Sequence, residues 1–154
     1  MNGKTHKTVG VVAGAAVAVA RSGGQKTWKR AVEVVGGGLG GYVGASLPDI
    51  LEPAVSPHHR NVGHSVSAGA IVLAGASKLA GDWERSCRSK ADELFARSDD
   101  ESFSDLERLL CGIGGILLLL LAGLLSGFAA GYISHLALDA TTPKSLPLLS
   151  CSLI

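Results

Sequence analysis

The sequence predicts an all-α protein: an integral membrane helical bundle of about four helices, with an additional amphipathic helix on the cytoplasmic side. Of the 154 residues, 47% are hydrophobic but only 5% are aromatic, and 21 are glycine. Soluble cores normally use aromatic side chains for bulk, whereas small residues that let helix backbones approach closely are typical of membrane helices. The stretch 109–134 contains no charged residue, and it exceeds the roughly 20 apolar residues that cross a bilayer.

Four apolar segments are predicted to form the bundle, at residues 9–20, 31–47, 62–80 and 109–138. The last is a transmembrane helix by length. Each of the other three is short or glycine-rich and is equally compatible with a re-entrant piece or a buried soluble helix, and the first also resembles a cleaved signal peptide. Residues 81–108 form the predicted amphipathic helix and a turn, with Ser104 and Glu107 as a capping box for the last span. Residues 1–154 are predicted to be a single domain.

The basic residues divide unequally if all four segments cross the membrane. Ten of the 14 Lys and Arg residues fall on the side that carries 21–30 and 81–108, and four fall on the other side. By the positive-inside rule the first side is cytoplasmic. All five histidines then lie on the extracytoplasmic side, together with three carboxylates: His6, His58, His59, His64, His135, Asp49, Glu52 and Asp139.

These imidazoles and carboxylates predict a site for a divalent metal ion, because both groups are ordinary ligands of zinc and similar ions. His135 and Asp139 are four residues apart, so they share one face of a helix. Taken alone, such a pair is more often a capping or hydrogen-bonded polar pair. The other histidines and carboxylates predicted on the same side of the membrane favour a metal site.

Glycines predict how this site is assembled. The ridge that carries His135 continues backward through Gly131, Gly127 and Gly123 to Gly115, and the second segment has GxxxG pairs of its own among Gly36, Gly37, Gly40, Gly41 and Gly44. Such ridges allow two helices to pack closely. We therefore expect the second and last helices to cross tightly and to bring Asp49 opposite His135 and Asp139.

The link 48–61 is predicted to be an ordered, functional loop, because Pro48, Pro53 and Pro57 oppose a regular helix through it. Other classes of site have no support in the sequence. No phosphate-binding GK[ST] loop, GxSxG elbow or HExxH motif is present. Nucleic acid is not an expected partner, because there is no basic stripe with interleaved aromatics. The cysteines at 87, 111 and 151 form neither a CxxC motif nor a disulfide framework.

Three ordered motifs are Leu47-Pro48-Asp49-Ile50, His59-Arg60-x-x-x-His64-Ser65 and Gly131-Tyr132-x-Ser134-His135-x-x-x-Asp139-x-x-Thr142-Pro143. Together they resemble the bacterial membrane-bound metal-dependent hydrolase family, described as LexA-binding, inner-membrane-associated hydrolases. The resemblance implies an inner-membrane location and the polar positions His6, Asp49, His59, His64, His135 and Asp139. The chain departs from the family at Leu51, where a second Asp is common, and at Gly63, where Thr is common. The order Asp, His, HxxxD is also similar to zinc-dependent phospholipases C, which implies phosphoester chemistry.

The resulting hypothesis is a membrane-bound hydrolase with a divalent ion, expected to be zinc. Asp49, His64, His135 and Asp139 are the predicted core metal ligands, and His6, His59 and Glu52 complete a second position. Glu52, if it is not a ligand, is the candidate general base, and Arg60 the candidate group for binding an anionic phosphate.

The expected partners are membrane lipid and a phosphoester substrate. The alternative is a non-catalytic membrane protein in which the ion has a structural or regulatory role. A transporter is less favoured, because the sequence keeps nearly all charged groups at the ends of its apolar segments.

Overall fold

The computed structural model describes residues 3–51, 65–75, 78 and 80–141. Over these ranges the chain is helical and contains no strand, so the predicted all-α class is confirmed for the described residues. The five helices are α1 (Gly3–Arg21), α2 (Thr27–Leu51), α3 (Val66–Gly75), α4 (Gly81–Asp99) and α5 (Asp105–Ala140). α5 is the central element and packs against each of the other four.

The predicted capping box begins α5. The Ser104 hydroxyl accepts a hydrogen bond from the Glu107 backbone N–H at 3.4 Å, and the Glu107 carboxylate accepts one from the Ser104 backbone N–H at 2.9 Å. Two backbone donors that lack partners within the helix are thereby satisfied. From this start α5 runs for 36 residues, a length of about 54 Å. It therefore extends well beyond the roughly 30 Å hydrocarbon core of a bilayer.

α2 packs against both α1 and α5 through its glycines, and the backbone of Gly37 and Gly41 contacts both helices. Gly37 and Gly41 meet α1, where a Cβ atom on Gly41 would lie 2.0 Å from the Gly10 carbonyl oxygen. On the neighbouring face, a Cβ on Gly40 would lie 2.1 Å from the Leu124 carbonyl oxygen of α5. Only glycine permits backbones to approach this closely. The predicted α2–α5 crossing is therefore confirmed, and α1 joins it through glycines that the sequence reading did not use.

The N-terminal half of α5 has a different partner. The Phe95 ring of α4 occupies the space beside Gly115 and also packs edge-to-face on Trp28, with ring centroids 5.0 Å apart. Gly115 therefore belongs to the contact with α4 and not to the α2–α5 crossing.

The prediction that Pro48 excludes a helix is wrong. α2 continues through Pro48 and ends at Leu51, with the proline ring fully buried. Proline removes one backbone hydrogen bond from a helix interior, but here only the last turn follows it, and burial of the apolar ring offsets the loss. The remainder of the predicted loop, residues 52–61 with Pro53 and Pro57, lies outside the described residues.

One described helix, α5, is both long and apolar enough to cross a membrane. The four-span arrangement is therefore not confirmed. α3 has ten residues and is only about 15 Å long. α1 and α2 pack closely because they contain many glycines. Glycine adds little to the mean hydropathy of a segment, so the same residues make α1 and α2 harder to recognise as membrane spans.

Candidate metal centre

Two helices contribute to a buried cluster at one end of the bundle, and a third borders it. His6 comes from the first turn of α1, and His135 and Asp139 come from successive turns near the end of α5. Their exposed fractions are only 4%, 1% and 2%, respectively. One donor atom from each of the three lies within 4.8 Å of the others. Asp49, near the end of α2, borders the cluster with a half-exposed side chain.

The shortest side-chain distances within the cluster are close to those between the ligands of one metal ion. His135 Nε2 lies 3.4 Å from Asp139 Oδ2 and 3.6 Å from Asp49 Oδ1, and His6 Nε2 lies 3.7 Å from Asp139 Oδ1. A hydrogen bond between such atoms would measure about 2.7–3.2 Å. Zinc–nitrogen and zinc–oxygen bonds of about 2.0–2.1 Å in a tetrahedral arrangement place ligand atoms roughly 3.3 Å apart.

A backbone carbonyl orients His135. Its Nδ1 lies 2.6 Å from the carbonyl oxygen of Ala45 in α2. A carbonyl can only accept, so Nδ1 carries the proton and donates it. In the neutral ring the lone pair is then on Nε2, the nitrogen that faces Asp139 and Asp49. Metal-ligating histidines commonly have such a support on the second nitrogen.

His6 supplies a separate test of whether these residues fit an ion. Its ring is tilted against that of His135, with centroids 4.2 Å apart. Its Nδ1 is buried and has no hydrogen-bond partner among the described residues. Leaving a buried polar atom unpaired costs about 1–3 kcal/mol. Two imidazoles, one of which has an unpaired buried nitrogen, and a carboxylate therefore form a donor set that fits a divalent cation.

The structure brings four of the predicted site residues together: His6, Asp49, His135 and Asp139. Their role as ligands remains a prediction. Glu52, His59, Arg60 and His64 lie outside the described residues, as does His58. Sequence reasoning missed the carbonyl of Ala45, because a backbone acceptor leaves no signature in residue type. Its only signal is indirect, namely the adjacent Gly44, whose close approach to α5 brings this backbone within reach of His135.

A second polar cluster lies at the opposite end of the bundle and was not foreseen. Glu33 of α2 and Glu84 of α4 are fully buried. Arg88 donates to both Glu33 carboxylate oxygens, at distances of 2.8–3.1 Å, and Gln25 also donates to Glu33. Arg21 Nε lies 2.9 Å from Glu84 Oε2. The hydrogen bonds with Glu33 raise the pKa of the Arg88 guanidinium, and burial raises the pKa of the Glu84 carboxyl.

This second cluster ties the predicted amphipathic helix of 81–108 to the bundle. Two of its residues, Glu84 and Cys87, are buried against the bundle, and burial raises the pKa of the Cys87 thiol. The available signal was Glu33, the single acid within an apolar segment. An ionisable group in that position needs a buried partner.

The glycine-packed bundle, its one long apolar helix and the buried histidine–carboxylate cluster define a helical membrane protein with a candidate metal centre. Residues 1–150 match the family described as YdjM inner membrane protein, and the chain belongs to this family. No curated protein and no solved structure matches the chain. Family membership supports the predicted bacterial inner-membrane location. It shows no similarity to hydrolases or to phospholipases C.

Proposed function

We propose that this protein is a membrane-bound metal-dependent hydrolase that acts on a phosphoester, such as a lipid head group. The observation that supports the proposal most is the buried cluster of His6, His135 and Asp139, whose donor atoms have the spacing of metal ligands. These three residues would hold the ion, with Asp49 at the edge of the cluster. A bound zinc or similar ion supplies Lewis-acid chemistry and makes water a usable nucleophile near neutral pH.

The residues of the cluster have separate roles in orienting the ligands, attracting the cation and excluding water. The Ala45 carbonyl holds His135 in one tautomer, so Nε2 is directed to the site. Asp139 lies between the two imidazoles, with Oδ1 toward His6 and Oδ2 toward His135, and its charge favours cation binding. Burial of these three groups excludes water from the side of the site that faces the bundle interior. Asp49 is half-exposed, and its side of the cluster is where we expect a phosphoester to enter.

Residues of the 52–64 segment would complete the site. We propose His64 and His59 as further ligands, Glu52 as a ligand or general base, and Arg60 as the group that binds the substrate phosphate through paired donors. For Glu52, chain length permits this assignment, because three residues after Asp49 can span at most about 11 Å.

The decisive experiment is metal analysis of the full chain purified in mild detergent. Wild type should contain about one or two equivalents of zinc or another divalent ion, and His135→Ala and Asp139→Asn should lose most of it. His58→Ala and Asp82→Asn are matched controls, because neither residue is assigned to the site, and both should retain the metal. Equal metal content in all five proteins would contradict the proposal. A panel of phosphoesters assayed on the metal-containing protein then tests hydrolysis directly.

A structural or regulatory metal site is the second candidate, and it has its own support. The three described donors are almost completely buried and join α1 to α5. Coordinatively closed sites have structural roles, whereas catalytic sites keep a position open. If the ion only ties helix ends together, chelation should lower the melting temperature while no phosphoester is turned over. Loss of a measurable hydrolase activity on chelation, regained on adding zinc, would favour the enzyme.

We also propose that the protein crosses the membrane several times and that the histidine cluster faces the extracytoplasmic side. The support is the distribution of Lys and Arg, ten against four. In a cysteine-free background, Ile50→Cys, at an exposed position near the cluster, should react with an impermeant maleimide added to intact cells. Lys90→Cys on α4 should react only after lysis. The reverse pattern would show that the orientation is inverted.

A further inference from the structure

A cavity beside the second polar cluster has the features of a ligand site. It has a volume of about 230 Å³ and lies between α1, α3, α4 and α5. Its polar end is formed by Arg21, Glu84 and Ser126, and its other walls are apolar. It adjoins an apolar groove of about 700 Å³ along α5, with which it shares Leu125 and Ala129. The site is distinct from the histidine cluster, because Ser126 is about 14 Å from His135 along α5.

Two of the three polar residues that line this cavity, Glu84 and Ser126, present acceptor oxygens, and the third, Arg21, is a donor. Glu84 is fully buried, and neither of its carboxylate oxygens has a hydrogen-bond partner among the described residues. Glu84 Oε2 forms ion pairs with Arg21 Nε at 2.9 Å and with Arg88 Nη2 at 3.5 Å. The Ser126 hydroxyl donates its proton to the Gly123 carbonyl and therefore presents only lone pairs to the cavity. A ligand that complements these oxygens must bring N–H or O–H donors.

The balance of charges around the cavity further restricts the class of ligand. The two buried carboxylates, of Glu33 and Glu84, are matched by two guanidiniums, of Arg88 and Arg21. A zwitterion preserves this neutrality, whereas a purely anionic ligand would place an excess negative charge beside Glu84. Arg21, whose side chain is 38% exposed, is available on the open side for a phosphate.

The adjoining groove has the lining to hold an apolar part of such a ligand. Its walls include Val72, Leu124 and Phe128, and its rim carries the exposed indole of Trp83. Tryptophan at this kind of position is typical of the head-group level of a membrane. The groove is therefore an apolar channel that begins at a polar pocket and runs along α5, the described helix that is long and apolar enough to cross a membrane.

We infer that this cavity and groove bind an aminophospholipid of the surrounding membrane. Its ammonium group contacts Glu84 and Ser126, its phosphate contacts Arg21, and one acyl chain lies along the groove. The inference does not depend on the proposed hydrolase activity, because none of these residues belongs to the metal centre.

Native mass spectrometry of the detergent-purified full chain tests the inference, with phosphatidylethanolamine and phosphatidylglycerol of identical acyl chains as probes. Wild type should bind the ethanolamine lipid about tenfold more tightly, since one charge-assisted contact is worth about that factor. Glu84→Gln should lose this preference. Asp82→Asn, an exposed carboxylate on the same helix, should retain it. Equal binding of both lipids by wild type, or equal preferences in the two variants, would overturn the inference.

A second variant keeps the test valid if Glu84→Gln does not fold. Leu73 lies on α3, is 57% exposed and lines the cavity without any part in the charge cluster. Leu73→Trp should fill the apolar wall and reduce phosphatidylethanolamine binding several-fold, while helicity measured by circular dichroism is unchanged. Undiminished binding in this variant would mean that the lipid occupies another surface, and the inference would be wrong.

Discussion

Substitution of Gly40 by alanine tests the glycine packing on which the metal centre depends. The new Cβ would lie 2.1 Å from the Leu124 carbonyl oxygen, whereas real Cβ contacts are essentially never under 3.0 Å. The two helices must therefore separate locally by about 0.9 Å. A gap of about 0.5–1 Å removes roughly a quarter to a half of the dispersion attraction between facing atoms, and overpacking of this kind costs about 1–3 kcal/mol.

Gly38→Ala is the matched control. Gly38 lies in the same helix, two residues away, and a Cβ there would meet Val11 at an ordinary 3.5 Å. Both substitutions gain the same helix propensity, about 1 kcal/mol, so their difference isolates the packing cost. At about 2–4 °C per kcal/mol for a chain of this size, Gly40→Ala should melt roughly 2–12 °C below Gly38→Ala. Circular dichroism in detergent measures both. Equal melting temperatures would refute the close backbone contact.

Three further predictions concern the charged clusters and the cap. Arg88→Met should destabilise the protein by about 3–5 kcal/mol in chemical denaturation, because it leaves the buried Glu33 charge unpaired; a loss below 1 kcal/mol would contradict this. Burial raises the pKa of Glu84, so its contribution to stability is present below its ordinary pKa and is lost as pH rises through the raised value. The melting temperature of Glu84→Gln should accordingly gain on wild type as pH rises from 4 to 7, and a constant difference would contradict this. Ser104→Ala should cost about 1 kcal/mol by removing the cap of α5, measured by the same denaturation; no loss would mean that the cap is frayed in solution.

The sequence predicted most of what depends on repeated spacing. The HxxxD pair of α5 and the GxxxG rows of α2 each follow helical periodicity, and together they sufficed to bring Asp49 to His135. α1 was harder, because Gly10 and Gly14 are only one turn apart and stand in a short segment. Nothing in their spacing specifies which helix they contact.

The parts that the sequence did not predict depend on contacts between distant residues. The pairing of Glu33 with Arg88 joins α2 to α4 across 55 positions, and neither residue type indicates its partner. The prediction that Pro48 excludes a helix was wrong for a related reason. The rule against proline in helices describes the cost of a lost hydrogen bond, but burial of its ring in the assembled bundle decides the outcome, and burial cannot be read from local sequence.

The two polar clusters lead to a prediction about membrane thickness. From Glu33 to Asp49, α2 rises about 24 Å, so the glycine-packed part of the bundle is shorter than a hydrocarbon core of about 30 Å. In the multi-pass arrangement proposed above, this mismatch of roughly 6 Å costs on the order of 1–3 kcal/mol in a bilayer of ordinary thickness. The burial of Glu33 and Asp139 fits this geometry, because charges near the edge of the core are tolerated when protein surrounds them. Reconstituted into vesicles of phosphatidylcholines with 12 to 20 carbons per chain, the protein should be most resistant to thermal unfolding in the thinner members. Stability that rises steadily with chain length would contradict a short spanning bundle and would favour α5 as the single crossing helix.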